Sequence, residues 1–559
     1  MDADESSGTT VAGRLLDQLT QAGVEVVFGL PGVHNLPFWQ AAAQSPTTRP
    51  RIIGVRHEQA AMYAADGLAR ATGGVGVALT TTGPGAANAV AAFGEADQCA
   101  SPALLIASEP PLGPRRVSGS DSGLLHSMVD QQALFAAPFG AFTMSLPTPL
   151  EASHLLPTVL SVLTDLPAPG YLGIPADVLA APADTHEAEL PDLWSRRPDL
   201  APAVAEPVDV ARLAALLDGR RVALWVGPEA VYEQCGPLLA ALAERLGAPV
   251  VTTYGARGLL GEHRLLIDAP PHEPEVAAAI AAAEVLLVVG DPLHGMTTRN
   301  WTMPVPGRLA VITRYAGLSL GDYDFAVRLE TAVRTTLESL LAQLGPGGAA
   351  PWAPPGVAAR VRARLLADPS TAAAMRLVAA VEQSWPAAAA VVADMCVAGY
   401  WVGGYASQPR ARRLQYPVGW GTLGYALPAA IGPAAAGLPT LAIVGDGGAA
   451  MAVGELATYR QERLPVTVLL VDDGGYGMLR FDQDAAGHHR AGVELLGPRW
   501  PLLADAYGVR HWSVREVGDL PAALAEAHRH NLTGQPALVH LPVALTPPRT
   551  TSPRWHEPA

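Results

Sequence analysis

Short apolar runs that each close on a glycine- or proline-containing turn recur along nearly the whole chain, with helix-like stretches between them. Val24-Glu25-Val26-Val27-Phe28 stops at Gly29-Leu30-Pro31-Gly32. Residues 51–55 precede a predicted helix over 58–72, and residues 76–81 end in Thr82-Gly83-Pro84-Gly85. Residues 103–107 and 170–174 are two more such runs. Strands this short, alternating with helices, predict a parallel sheet covered on both faces. A proline-rich stretch over 180–207 reads as a linker, and a second cluster of breakers runs from Gly345 to Gly356. Between them, strands are predicted at 221–226, 249–252, 284–289 and 309–313. Beyond them the pattern returns at 389–393, 440–444, 466–471 and 537–541. The expected fold class is therefore α/β, with three doubly wound parallel-sheet domains over residues 8–180, 200–345 and 370–550. The first and third are alike in size and style.

Composition narrows the chemistry. The 559 residues are 49% hydrophobic with a mean hydropathy of +0.21, ample for large cores. A formal charge of −15 leaves no basic surplus to displace counterions from a nucleic acid, so no such partner is expected. All 37 basic residues are arginine, which excludes a Schiff-base lysine and a Walker A lysine. Cys99, Cys235 and Cys396 are too scattered for a disulfide framework or a zinc site. The acidic start, Met1-Asp2-Ala3-Asp4-Glu5, has no apolar signal core, and the Ala-rich run over 276–289 is too short to span a bilayer. A cytoplasmic protein with no membrane partner is expected.

Two words carry the chemistry. In the third domain a buried strand runs into Gly445-Asp446-Gly447-Gly448 and then a helix predicted over 449–463. The next strand runs into Val471-Asp472-Asp473-Gly474-Gly475-Tyr476-Gly477. Asp446 and Asp473 are one βαβ unit apart, so both belong at the carboxyl edge of the sheet, where ligands bind. Gly445, Gly447 and Gly448 let backbone N–H groups approach an anion. Two side-chain oxygens facing a diphosphate suit Mg²⁺, which borrows phosphate ligands. A lone Gly-Asp-Gly is more often a solvated strand–turn–helix junction; the second acidic turn favours the ligand reading. The other word is Arg56-His57-Glu58-Gln59-Ala60-Ala61. On its own, Glu58 is a carboxylate at a helix N-terminus, favoured by the macrodipole.

The spacing and flanks of these words resemble the thiamine-diphosphate-dependent acetolactate synthase and 2-oxo acid decarboxylase superfamily, whose signature is Gly-Asp-Gly, about two dozen residues, then Asn-Asn. The resemblance implies a pyrimidine-binding N-terminal domain, a central Rossmann-like domain and a diphosphate-binding C-terminal domain. It implies thiamine diphosphate and Mg²⁺ as cofactors, with Asp446, Asp473 and the Gly475 carbonyl on the metal and Gly445, Gly447 and Gly448 at the diphosphate. Here Asp472-Asp473 replaces Asn-Asn, which keeps a metal oxygen and adds negative charge. Gly419-Trp420-Gly421-Thr422-Leu423-Gly424 is similar to the segment that holds the cofactor bent, with Leu423 between its rings and the Gly421 carbonyl accepting from the aminopyrimidine. Glu58 matches the glutamate that hydrogen-bonds pyrimidine N1′, and Gly83-Pro84-Gly85-Ala86-Ala87-Asn88 matches the nearby Gly-Pro-Gly turn. Because pyrimidine and diphosphate domains pair between chains in that family, a homodimer or homotetramer with active sites at the subunit interface is implied.

The outcome of the reaction is less constrained. The resemblance implies decarboxylation of a 2-oxo acid and transfer of the resulting enamine to an acceptor carbonyl. Gly32-Val33-His34 and Leu125-His126 look more like benzaldehyde lyase and guanidino-oxopentanoate decarboxylase, so His34 and His126 are candidate proton relays or substrate ligands. Ala141 stands where acetolactate synthases carry a lysine. Simple decarboxylation or lysis of a 2-hydroxyketone is the alternative. Tyr476, Met478 and Leu479 would line the substrate side, with Trp401 near. The strand-end turns Trp225-Val226-Gly227-Pro228 and Val289-Gly290-Asp291-Pro292 are not a dinucleotide loop, so FAD is not expected. A catalytically silent cofactor-binding paralogue would have no need of Glu58, and a flavin or nicotinamide oxidoreductase lacks its Gly-x-Gly-x-x-Gly.

Overall fold

The computed structural model of the protein describes residues 9–112, 130–139, 141–165, 167–184, 203–315 and 323–548. Its strands form three sheets, every pairing parallel. The first holds β1 (Val26–Gly29), β2 (Arg51–Gly54), β3 (Gly76–Thr80), β4 (Ala103–Glu109), β5 (Phe142–Ser145) and β6 (Gly170–Pro175), in the order β2-β1-β3-β4-β6-β5. The second holds β7 (Val222–Val226), β8 (Val250–Thr252), β9 (Val285–Val289), β10 (Leu309–Thr313) and β11 (Val327–Glu330), in the order β11-β10-β9-β7-β8. The third holds β12 (Ala390–Ala393), β13 (Leu414–Gln415), β14 (Thr440–Gly445), β15 (Val466–Val471), β16 (Arg510–Ser513) and β17 (Ala537–Leu541), in the order β13-β12-β14-β15-β17-β16. Counted from its own first strand, the third sheet repeats the order of the first. Helices flank each sheet, giving three α/β layers.

Every strand expected from the sequence is present. The four that were not expected, β5, β11, β13 and β16, all lie at sheet edges. Half-exposed edge strands need no continuous apolar run, so they carry no strong signal. The helix expected over 449–463 is corrected: one helix, Asp446–Ala452, begins on the aspartate itself, and another, Glu455–Glu462, follows a turn at Val453 and Gly454.

By packing, the chain divides into two compact units. One is Met1–Ala201 with Ile431–Ala436 and Gly454–Leu464; the other is Pro202–Ala430, Gly437–Val453 and Pro465–Ala559. In the first, the helix Glu58–Thr72 is capped by His57, whose Nδ1 accepts from the Gln59 amide at 3.2 Å, and stops at Gly73 in the left-handed region (φ 82°). Its alanines and Gly67 are buried because backbone comes right up to it. A Cβ at Gly432 would collide with the Leu68 amide and the Ala64 carbonyl. The buried Glu455 accepts from the Arg56 amide at 3.0 Å, beside Glu58 in sequence. In the second unit the middle and third sheets share one apolar core that includes Trp225, Val288, Trp401 and Ile443. Glu273 joins the two layers, accepting from Tyr405 and pairing with Arg364. Among the described residues no helix is long and apolar enough to cross a membrane.

The Gly432 contact yields a stability prediction. Gly432→Ala should lose about 1–3 kcal/mol by overpacking, seen as a lower midpoint in thermal unfolding. Gly307→Ala, which meets nothing within 4 Å, is the control. An unchanged midpoint for Gly432→Ala would contradict the close helix contact.

Candidate active site

The third sheet reverses its strand order between β12 and β14, and such a switch leaves a crevice beyond the carboxyl ends of the two strands. Asp394 stands directly after β12, fully buried. Its Oδ1 accepts from the Met395 amide at 2.7 Å and the Gly424 amide at 3.0 Å, and its Oδ2 from the Ala426 amide at 3.2 Å. One carboxylate thus ties the glycine-rich stretch ending at Gly424 (φ 78°) to the strand. Across the crevice, β14 delivers Asp446. The register Gly445↔Val471 brings the Asp472-Asp473 turn to the same edge.

A cavity of about 140 Å³ lies there. Among its walls are Leu423, Gly445, Asp446, Gly447, Gly448, Asp473, Gly475, Tyr476, Met478 and Leu479, so nearly all the diphosphate-side residues singled out in the sequence come together. Gly421 (φ 77°) belongs to the adjoining loop and is not part of the wall. Neighbours approach two of these glycines closely: a Cβ at Gly447 would lie 2.7 Å from the Tyr476 ring, and one at Gly448 would lie 3.1 Å from Asp394 Oδ2. Trp401, expected near the substrate side, is instead a core residue whose indole donates to the Thr546 carbonyl at 2.8 Å.

Asp446 is 3% exposed, and neither carboxylate oxygen has a well-formed hydrogen-bond partner. Burial pushes its carboxyl up to about 6; the Asp473 and Asp472 charges add to this, and the nearby backbone amides of Asp473 and Asp446 temper it. Burial also raises Asp473, chiefly against the Arg480 guanidinium, which donates to its Oδ1 at 2.5 Å and to its carbonyl at 2.8 Å. Asp472 lies 2.9 Å from His540 Nε2. A buried carboxylate without partners calls for a cation. Among the described residues there is no cluster of three or more His, Cys, Asp or Glu suited to a metal. Two carboxylates with backbone oxygen fit instead a hard ion that takes its remaining ligands from a phosphate, the donor set Mg²⁺ accepts.

Within the first unit, Glu58 opens its helix nearly buried and accepts from Asn88 Nδ2 at 3.0 Å. Gly85 passes close by: a Cβ there would lie 3.4 Å from Glu58 Oε1 and 2.8 Å from Thr81 Cγ2. His34 sits half-buried in the turn after Gly32, and a Cβ at Gly32 would lie 2.6 Å from Thr81. The turn bearing His34 and Gly85, which passes close to Glu58, therefore both approach Thr81. His126 lies outside the described residues. The Gly83 amide donates to Gln131 Oε1 at 2.8 Å, while Gln131 Nε2 donates to the Ser108 carbonyl and Tyr171 hydroxyl.

Four of these participants had no assigned task in the sequence reading: Asp394, Gln131, Asn88 and Arg480. Asp394 did leave a signal, an acidic residue ending an apolar strand just as Asp446 and Asp472 do. Arg480 left none, because nothing local marks which arginine turns inward.

Comparison with known proteins identifies the family. The family signatures "Thiamine pyrophosphate enzyme, N-terminal TPP binding domain", "central domain" and "C-terminal TPP binding domain" match residues 9–134, 210–340 and 394–541. A probable 2-ketoarginine decarboxylase of Pseudomonas aeruginosa is 35% identical over 537 residues, covering 92% of this chain and 90% of the relative. An acetolactate synthase of Mycobacterium bovis is 28% identical, covering 84% and 77%. An alpha-keto-acid decarboxylase of Mycolicibacterium paratuberculosis is also 28% identical, covering 99% and 96%. In fold, the chain is similar to the solved thiamine diphosphate-dependent 4-hydroxybenzoylformate decarboxylase of Rhodococcus jostii, with a TM-score of 0.78, 23% identity, and coverage of 96% and 99%. With all three domain signatures in order and a relative matched over nine-tenths of its length, the chain belongs to the thiamine pyrophosphate enzymes.

Proposed function

We propose that this protein is a thiamine-diphosphate- and Mg²⁺-dependent enzyme that decarboxylates a 2-oxo acid and joins the remaining fragment to a carbonyl acceptor. The observation that carries this reading is Asp446, a buried carboxylate without well-formed partners that shares a small cavity with Asp473 and Gly475. Asp446, Asp473 and the Gly475 carbonyl would hold the cation, and Gly445, Gly447 and Gly448 would leave room for the diphosphate. Leu423, Tyr476 and Met478 would bound the ring side, with the Gly421 carbonyl facing the aminopyrimidine. When bound, thiamine diphosphate supplies the electron sink that makes loss of CO₂ possible.

Glu58 would hold a proton on its carboxyl against pyrimidine N1′. Asn88, donating to its Oε2, fixes the carboxyl's rotation so that the other oxygen stays presented. Either His34 or His126 would then hold the substrate carboxylate or relay a proton to the reacting fragment. By resemblance the active enzyme is a homodimer or homotetramer with active sites at the subunit interface, built from domains over 8–180, 200–345 and 370–550.

The alternative outcome, release of an aldehyde without ligation or lysis of a 2-hydroxyketone, draws support from the 35% identity to a 2-ketoarginine decarboxylase. Incubation with thiamine diphosphate, Mg²⁺ and a panel including pyruvate, benzoylformate and 2-ketoarginine, each with and without an aldehyde acceptor, separates these outcomes by mass spectrometry. Ligated products are expected; aldehyde alone would select the alternative, and no CO₂ from any donor would favour a silent paralogue.

Two substitutions test the assigned roles. Glu58→Gln should lower turnover at least ~100-fold while cofactor binding persists; an unchanged rate would remove Glu58 from the proton path. Asp446→Ala should abolish Mg²⁺-dependent retention of thiamine diphosphate in equilibrium dialysis. Retention equal to wild type would refute the cation site.

A further inference from the structure

The turn after β15 carries two carboxylates, Asp472 and Asp473, where the resembling family usually carries two neutral amides. With Asp446 that makes three acidic side chains at one sheet edge, since the register Gly445↔Val471 aligns the two strand ends. Placing a diphosphate beside so much negative charge needs compensation beyond one divalent cation. The fold contains it. Arg480, in the first turns of the helix Gly477–Ala485, turns back onto Asp473 and grips both its carboxylate and its backbone carbonyl through Nη2. Its other terminal nitrogen, Nη1, donates to Glu494 Oε2 at 3.1 Å.

That second contact matters because the segment around Glu494 frames the loop that bears Gly475. The Tyr476 amide donates to the Val493 carbonyl at 2.9 Å and the Leu495 amide to the Gly474 carbonyl at 3.0 Å, while Gly475 bridges Glu494. One guanidinium therefore braces the Asp473 side chain, the Asp473 carbonyl and the segment that fixes Gly475. An exposed ion pair with this layout would be worth little. Here the side chains of Arg480 and Asp473 are only 14% and 13% exposed, so their charges are mostly desolvated and depend on each other. A planar fork with one nitrogen on the carboxylate and carbonyl oxygens of Asp473 and the other on Glu494 is also something the single ammonium of lysine cannot reproduce.

We propose that Arg480 is a positioning residue of the cation–diphosphate site, an internal counter-ion that lets this chain use an aspartate at 473. It cancels the extra charge of Asp473 and holds its carboxylate and the Gly475 loop in place. The inference rests on the cation-site reading given above.

A double-mutant cycle tests it. Thiamine diphosphate affinity at saturating Mg²⁺ is measured by isothermal titration calorimetry, and Mn²⁺ affinity by electron paramagnetic resonance. The proteins are wild type, Arg480→Gln, Asp473→Asn and the double variant, each with its thermal unfolding midpoint. Arg480→Gln should weaken thiamine diphosphate about tenfold or more, the scale of a lost charged hydrogen bond. Neutralising the partner should rescue it: Arg480→Gln with Asp473→Asn should return to within about threefold of wild type, since the two sites are coupled. Arg480→Lys, which keeps the charge and loses the fork, should lie between wild type and Arg480→Gln, and serves with Asp473→Asn if the glutamine variant does not fold. Wild-type affinity in Arg480→Gln, or a double variant no better than the single one, would overturn the proposal while leaving the cation site standing. Failure of the wild-type protein to bind thiamine diphosphate would overturn the site reading and this inference with it.

Discussion

The parallel pairing of β14 with β15, in register from Thr440↔Val466 to Gly445↔Val471, decides where charge collects in this protein. Both strands are buried and apolar apart from Thr440 and Thr467, and both deliver their first acidic side chains at the same edge of the sheet. A parallel sheet forces this coincidence, since its strand ends align and the crossover helix lies on a face rather than over the edge. Asp446, Asp472 and Asp473 are neighbours for that reason alone. The charge they concentrate, the cavity they border and the arginine and histidine drawn in to offset it all follow from that pairing.

Each acidic group at this edge is handled in a different way. Asp394 accepts from three backbone amides and acts as a structural anchor for the glycine-rich loop. Asp472 has His540, and Asp473 has Arg480. Asp446 alone is left with its oxygens unspent, a cost a folded protein bears where a ligand is meant to meet it. The same edge thus separates carboxylates that are paired within the protein from one whose oxygens are left open.

The repeated strand order of the first and third sheets gives this contrast a counterpart. In the first, the turn after β3 is Thr82-Gly83-Pro84-Gly85, at the position that Gly445-Asp446-Gly447 occupies in the third. There Gln131 and Asn88, both neutral amides, secure Gly83 and Glu58. One topology therefore supports an edge where neutral amides secure a turn and a carboxyl, and an acid-rich edge suited to a metal and a phosphate.

The alternation of apolar runs with helical stretches settled from sequence alone that the chain is α/β, that its sheets are parallel and that its polar turns stand at carboxyl edges, because strands buried on both faces are apolar over most of their length. It also pointed to Glu58, Asp446 and Asp473, since an acidic residue beside glycine at a strand end is a local pattern. Edge strands such as β5 and β16 escaped it, being half-exposed and free of that demand. The break at Val453–Gly454 escaped it too, as did the inward turn of Arg480 and the collision distance at Gly432. Those depend on which surfaces pack together across hundreds of residues, and only the tertiary structure brings those surfaces into contact.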